Sequence, residues 1–294
     1  MAMAQDQGDG ILVPEWKRPE PELEFTREQR KRNLYARKGP LRVMPRDKRQ
    51  PVHSAANTNR SVLRVHPEGV EIGVSTGEGV AKPLGVMGVV FLLVSLMSFW
   101  STYIFLDIVV AALFFGLCSL ALVLVSLVFI RRGFFSPSDH PVLFNRKTRE
   151  VHVIPIKTLN FLKFWEKGEP GELRSYRWDH VTARTYRRLD VPGGTVARTE
   201  TVMQMLCTTP ENPNVVDLMV SLGFTGTWRD NTQVELWEHI RRYMEEGGPP
   251  LQPGDTLRKV NHDKLPEFPP DIVEAAGGPA LSEAELAKWT QPQS

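Results

Sequence analysis

Apolar and polar positions alternate along this chain in three different rhythms. From Leu84 to Ile130, 47 residues carry a single formal charge, Asp107, with Lys82 before the block and Arg131-Arg132 after it. A bilayer's hydrocarbon core is crossed by about 20 apolar residues in a helix, so the block holds two spans. They divide at Ser101–Asp107, the one polar cluster within the block, into residues 84–103 and 108–130. Both are predicted to be helices, because a segment in lipid has to satisfy its own backbone hydrogen bonds. Trp100 and Tyr103 stand at the turn, where amphipathic rings favour headgroup depth.

Outside this block the period shortens to two. Val62, Leu63 and Val65 precede His66-Pro67-Glu68-Gly69, and Val70, Ile72 and Val74 follow it, which predicts a β-hairpin. Further strands are predicted around a polar turn at 145–149, over 175–178 and 181–186, on both sides of Pro192-Gly193-Gly194, and over Val215–Val220. A helical rhythm then takes over at Val234, Trp237, Ile240, Arg241 and Met244, with caps offered by Asp230-Asn231-Thr232 and a stop at Gly247-Gly248-Pro249-Pro250. Two short capping boxes, Thr26–Gln29 and Ser282–Glu285, mark weak helices in the flanks.

The fold class read from these rhythms is an α+β membrane protein. A two-helix transmembrane hairpin is inserted near a small, mostly antiparallel β domain closed by one C-terminal amphipathic helix. The expected organisation is a basic, Pro-rich, mobile or draped N-terminal region (1–58) and a β-hairpin belonging to the cytosolic domain (59–82). The transmembrane hairpin (83–131), a β-rich domain with its helix (132–247) and a Pro/Gly-rich tail (248–294) follow. Short strands ending in one helix are also the element order of a pleckstrin-homology-like sandwich.

Charge adds topology. The overall balance is only +2, yet Lys and Arg crowd residues 27–49 and 131–149, while the loop between the spans has none. The positive-inside bias puts both termini in the cytoplasm. Met1–Gly10 is acidic and polar with no apolar stretch, so no cleaved signal peptide is expected. The basic flank also attracts anionic lipid. Arg30, Lys31, Arg32, Lys48, Arg131 and Arg132 are the candidate headgroup contacts, and without interleaved aromatics or a binding motif the patch does not read as a nucleic-acid site. Two cysteines, Cys118 and Cys207, provide no disulfide framework and read as small buried hydrophobes.

Chemical motifs are sparse. The seven histidines are scattered, no Cys pair has metal-ligand spacing, and neither a GxSxG elbow nor a GK[ST] phosphate loop occurs. Trp178-Asp179-His180 juxtaposes an acid and an imidazole, but neighbours in a strand point to opposite faces, so the reading is a solvated edge with Trp178 in the core. Asp107 reads as a loop residue rather than a proton relay. Gly85, Gly88, Gly116, Ser119 and Ser126 read as the packing face of the hairpin, and homo-oligomerisation stays open. Neither a catalytic residue nor a metal or cofactor is expected.

The segments LFNRKTREVHV (143–153), YRWDHVTA (176–183) and LWEHIRRYMEEGGPPL (236–251) resemble an uncharacterised family of two-pass bacterial inner-membrane proteins often encoded beside type VI secretion toxins. The resemblance spans roughly residues 60–250 and is most specific at Trp237–Gly247. It implies an accessory or immunity role by partner capture, the partner being a toxin or a secretion component. Trp165, Arg184, Arg187, Arg188 and Trp228, with Arg198, are the candidate partner contacts by residue type. The alternatives are a lipid- or envelope-sensing protein and a membrane enzyme whose site has no recognisable motif.

Overall fold

The computed structural model describes residues 10–18, 23–27, 29, 39–74, 78–105, 107–135, 139–155, 171–190, 198–226, 229–260 and 265–290. Within these, nine strands form two antiparallel sheets. The first is a five-stranded meander of β2 (Val62–His66), β3 (Gly69–Gly73), β4 (Pro141–Asn145), β5 (Glu150–Val153) and β6 (Arg174–Arg177) in sequence order. The second runs β1 (Arg42–Val43), β7 (Val181–Asp190), β8 (Arg198–Cys207) and β9 (Leu218–Gly226). A bridge between Val74 and Leu222 joins the sheets. Their inner faces share one core, in which Val70, Ile72, Phe144, Met203 and Leu222 are fully buried.

The apolar block forms α1 (Glu78–Ile104) and α2 (Val109–Phe135). They sit between β3 and β4 and interrupt a pair of strands that are neighbours anyway. Gly73 pairs with Pro141, and the Val74 N–H donates to the His140 carbonyl at 3.2 Å. The hairpin is therefore an insertion at one end of an otherwise continuous meander.

The two helices pack through their small residues. The Ser119 hydroxyl donates to the Ser95 carbonyl (2.8 Å) and Ser126 to Gly88 (2.6 Å). A Cβ on Gly88 would lie 2.7 Å from the Ile130 nitrogen, so only glycine admits this approach. The segments Gly85–Ile104 and Val109–Arg131 are long and apolar enough to cross a membrane. Their other faces are open: Val110 is 79% and Met97 72% exposed. Asp107 lies exposed in the turn between the helices.

Helix α3 (Asn231–Glu246) closes the sandwich within a residue or so of the expected bounds, ending where Gly247 adopts φ +66° and the Gly248 N–H reaches back to the Arg242 carbonyl at 3.0 Å. Its surroundings differ from expectation. Besides Val234, Trp237 and Ile240, the polar residues Gln233, Glu238, His239 and Arg241 are buried, so the helix is wrapped rather than half exposed. Asp230 does not cap it with its side chain. That carboxylate binds Arg42 Nε (3.1 Å) and the Thr185 hydroxyl (2.7 Å) instead.

The flanks do the wrapping. Met44 and Val52 enter the main core, and Leu23 and Phe25 pack with Leu206, Val216 and Met219 on the outer face of the second sheet. The Thr26–Gln29 box forms, with Gln29 Nε2 donating to the Val216 carbonyl at 2.9 Å. At the other end, α4 (Pro270–Ala275) lays Ile272, with Phe268 and Ala276, against Leu143 on the outer face of the first sheet. Helix α5 (Glu283–Thr290) opens on Ser282, bonded to Glu285 through both its nitrogen and its hydroxyl. The described parts of residues 1–58 and 248–294 thus belong to the folded body, because each brings a few apolar side chains to a sheet face that would otherwise be wet. A smaller correction concerns the last strand: Val215 pairs in parallel with Glu24, and β9 begins at Leu218.

Candidate functional site: a charged cleft opposite the helical hairpin

Strands β3 and β4 set the two ends of the domain. Gly73 and Pro141 lie beside the hairpin, and Gly69 and Asn145 lie four residue steps away, about 13 Å along the strand. At that far end a cleft of about 240 Å³ opens between the 46–50 turn, the β4–β5 turn, the short 3-10 turn Trp178–His180 and the last turn of α3. Its cations are Arg46, Lys48, Arg49 and Arg149, and its carboxylates Asp47, Asp179 and Glu245.

Local structure positions each of them. The 46–50 turn is closed by Gln50 N–H to the Asp47 carbonyl (3.1 Å) and by Arg49 N–H to Asp47 Oδ1 (3.0 Å). Asn145 Oδ1 caps the next turn by accepting from Lys147 and Thr148, and Arg149 leaves it at φ +56°, a conformation disfavoured for a residue with a Cβ. Its carbonyl then accepts the Trp178 N–H at 2.9 Å. Trp178 is fully buried, 5.4 Å from the ring of Trp237, with its indole N–H donating to Glu245 at 2.7 Å. Glu245 also accepts from Arg149 at 2.9 Å, and Asp179 lies 3.4 Å from the same guanidinium.

Lys48 forms the floor. Only 9% exposed, its ammonium donates to the Trp178 carbonyl and lies 4.3 Å from the centre of the Trp178 ring. Burial lowers its pKa to about 8, against the opposing pull of Asp179 and Glu245. The Glu245 carboxyl is pushed up by burial, but hydrogen bonds from Arg149 and Trp178 outweigh that and leave it below its usual range. Among the described residues no group of three or more His, Cys, Asp or Glu side chains is arranged to hold a metal ion.

The residues picked out by type alone do not assemble here, apart from Lys48. That lysine is turned into the fold and not toward a headgroup. Arg184 is 4% exposed on the covered outer face of the second sheet, where burial lowers its pKa, so it is not presented to a partner. Arg187 is exposed beside Glu15 (3.6 Å), and Arg188 pairs with Glu200 (3.2 Å). Arg187 points to the opposite face of β7 from Arg184 and Arg188, because strand neighbours alternate. Arg131 is half-buried near the foot of α2, and Arg132 continues the helix. Trp165, Trp228, Arg30, Lys31 and Arg32 lie outside the described residues, and Arg198 is described only as the first backbone position of β8. Arg46, Asp47, Arg49, Arg149 and Glu245 carried no site signal, since four separate turns deliver the cleft. Only Asp179 stood in a cluster that the sequence marked.

Residues 119–269 match the model of a family of unknown function, DUF6708. The chain belongs to this family. The DUF6708 match runs from within α2 to just before α4, and so includes β4–β9, α3 and the cleft residues Arg149, Asp179 and Glu245. It leaves out Arg46–Arg49, β1–β3 and α1. No curated protein and no solved structure matches the chain.

The motif that carried the sequence resemblance lies inside the DUF6708 match, and the structure gives its side chains packing roles. Trp237 and Ile240 fill the core, and Tyr243 lies beneath Arg146, 5.1 Å from its guanidinium carbon. Glu238 accepts from Arg241 (2.7 and 2.9 Å), Arg242 (2.6 Å) and the Val52 N–H (3.0 Å). His239 Nδ1 lies 3.2 Å from Gln252 Nε2, and burial lowers its pKa to about 4.

Proposed function

We propose that this DUF6708 protein is a non-catalytic binding protein anchored in the bacterial inner membrane by its α1–α2 hairpin, with both termini in the cytoplasm. One observation carries the anchoring. Of the described large apolar side chains, those left exposed lie in the hairpin and its turn, apart from Leu12 and Phe224. In water so large an apolar surface would drive association; in lipid it is the ordinary condition of a span. The basic residues on both flanks of the hairpin and the absence of Lys or Arg from its tip support the orientation.

Only three residues of sequence separate Val74 from α1, and three separate α2 from Asp139, so the Gly73–Pro141 end of the domain stays near the bilayer. The cleft opens at the opposite end, toward soluble partners. Capture of a toxin or secretion component, as an immunity or accessory protein, is the form of partner binding favoured by the sequence resemblance. The lipid-sensing alternative has less support, since Lys48 is buried under Trp178.

Carbonate washing and a reporter fused after Ser294 test the anchoring. The protein is expected to stay with membranes and the reporter to be active in the cytoplasm. Recovery in the soluble fraction, or periplasmic reporter activity, overturns it. Co-purification with the product of an adjacent gene, and sensitisation of cells by deletion, test the immunity role.

A further inference from the structure

Outside the hairpin, Phe224 is one of two described large apolar side chains left exposed, at 44%, and it lies at the end of the domain that the helices leave from. Arg258 fixes its place. The Arg258 backbone N–H donates to the Val62 carbonyl at 2.7 Å. Its guanidinium lies 2.7 Å from the Asp139 carboxylate and 4.1 Å from the centre of the Phe224 ring. Asp139 also accepts the Val74 N–H at 2.9 Å, and these two residues border the hairpin on either side. Two exposed cations share this end. Arg60 precedes Ser61, whose carbonyl accepts the Gly73 N–H at 2.8 Å and whose hydroxyl would lie 2.9 Å from a Cβ on Gly223. Lys259 follows Arg258. Among the described residues, neither cation has a carboxylate within ion-pairing distance. The carboxylates bonded to adjoining residues are already engaged: Asp255 by Thr58 (2.8 Å), Glu235 by Asn59 (3.3 Å) and Asn231 (2.8 Å), and Asp139 by Arg258.

We propose that this end of the domain docks on the leaflet from which the hairpin emerges, with Arg60 and Lys259 against lipid phosphates and the Phe224 ring at headgroup depth. The proposal rests on the anchoring reading and adds a second membrane contact to it. Continuity with the hairpin selects lipid as the occupant. Helix α2 ends at Phe135, four residues or about 6 Å of helix past Arg131, and a headgroup layer is about 5–7 Å thick, so the helix emerges at the leaflet surface. From Phe135 to Asp139 the chain spans at most about 14 Å. An exposed aromatic ring held that close to a bilayer is relieved of water by entering the interface, where such rings are favoured. Anionic headgroups supply the partners that Arg60 and Lys259 lack within the fold. Seated this way, the domain turns its cleft, at the other end of β3 and β4, away from the bilayer.

The test uses the full chain in phosphatidylcholine–phosphatidylglycerol nanodiscs, with Cys118→Ser and the buried Cys207 left in place. A bimane label is carried in turn by Phe224→Cys, Lys259→Cys, Arg49→Cys in the cleft, and Leu113→Cys on the open face of α2. Lipids bearing a nitroxide on the headgroup should quench the labels at 224 and 259 strongly and the label at 49 little, and an acyl-chain nitroxide should quench the label at 113. Arg60→Glu should shift the ratio of docked to free domain at position 224 about fivefold or more toward free, and added salt should act in the same direction. Quenching at 224 and 259 no greater than at 49, or unchanged by Arg60→Glu, overturns the proposal while the label at 113 still reports the anchor. A label at 224 that is shielded from aqueous iodide yet untouched by lipid nitroxide means that a protein covers the patch, and overturns it too. No quenching at 113 overturns the anchoring itself, and this contact with it.

Discussion

Replacing Glu238 by Gln keeps the side chain's shape and removes its charge, at the point where α3 grips the N-terminal flank. Glu238 is fully buried and accepts four hydrogen bonds, three from the guanidinium groups of Arg241 and Arg242 and one from the Val52 backbone. Arg241 in turn donates to the Lys48 carbonyl at 3.2 Å, and Arg242 to the Ser54 carbonyl at 3.1 Å, so the carboxylate holds the whole 48–54 segment in place. A glutamine offers one acceptor oxygen and turns an N–H2 toward the guanidiniums. Charge-assisted bonds contribute about 1.5–3 kcal/mol each, and breaking a buried ion pair from one side costs about 3–5 kcal/mol. The expected loss is about 3–5 kcal/mol, a large part of a typical total of about 5–15 kcal/mol. At a urea slope of about 2 kcal/mol per molar, the unfolding midpoint of the detergent-solubilised protein should fall by about 2 M. Tryptophan fluorescence reads the transition through Trp178 and Trp237. In the wild type, burial pushes the Glu238 carboxyl up, but Arg241, Val52 and Arg242 outweigh that and hold it below its usual value near 4.5. A depressed carboxyl stabilises above its unfolded pKa and loses that contribution as pH falls through its folded one, so Glu238→Gln should also flatten the acid limb of stability. A midpoint within about 0.3 M of wild type would refute the assignment of Glu238 as the clamp.

Three further outcomes follow from the same geometry. His66 places Nε2 3.0 Å from a Glu71 carboxylate oxygen and Nδ1 2.9 Å from the Gly278 carbonyl, an arrangement that favours the imidazolium, which donates to both. Burial pulls its pKa down, but the bonds to Glu71 and Gly278 outweigh it and leave the value raised from 6.5, with Arg64 opposing. The stability it contributes is present below about pH 6.5 and fades as pH rises through the folded pKa; denaturation midpoints should show this decline, and His66→Gln should remove it. Replacing residues 75–138 by an Asn-Gly turn should give a soluble, cooperatively folding domain, because β3 and β4 already pair up to the cut; an aggregated or non-cooperative product counts against the insertion. Gly88→Ile should cost about 1–3 kcal/mol by forcing α1 off Ile130, measured as a lower melting temperature in detergent, while an unchanged melting temperature would show that the helices do not need this approach.

Much of the architecture was readable as local pattern. The hairpin, its turn at Asp107, the β2–β3 and β4–β5 turns and the Gly247 stop all depend on neighbours within a few positions, which hydropathy and turn chemistry report directly. The small residues of the spans were correctly assigned to packing between the two helices. What was not readable depends on distance along the chain. Arg42 is buried because Asp230 lies 188 positions away, and Lys48 because Trp178 lies 130 positions away. Before folding, both look like any other residue of a basic, solvated flank. Strand β9 is similar: Ser221-Leu222-Gly223 has little strand character of its own, and Ser221 and Leu222 are held by pairing with Gln204 and Met203 of β8.

The sequence by itself determined the two long apolar helices, the alternating strands and the closing helix, since each is encoded in the period of its own residues. Only the tertiary structure decided that the flanks cover both outer sheet faces, that α3 is wrapped on nearly every side, and that four separate turns bring cations and carboxylates into one cleft. The physical reason is that burying a charge depends on partners supplied by distant segments, and no local periodicity records where those partners will be.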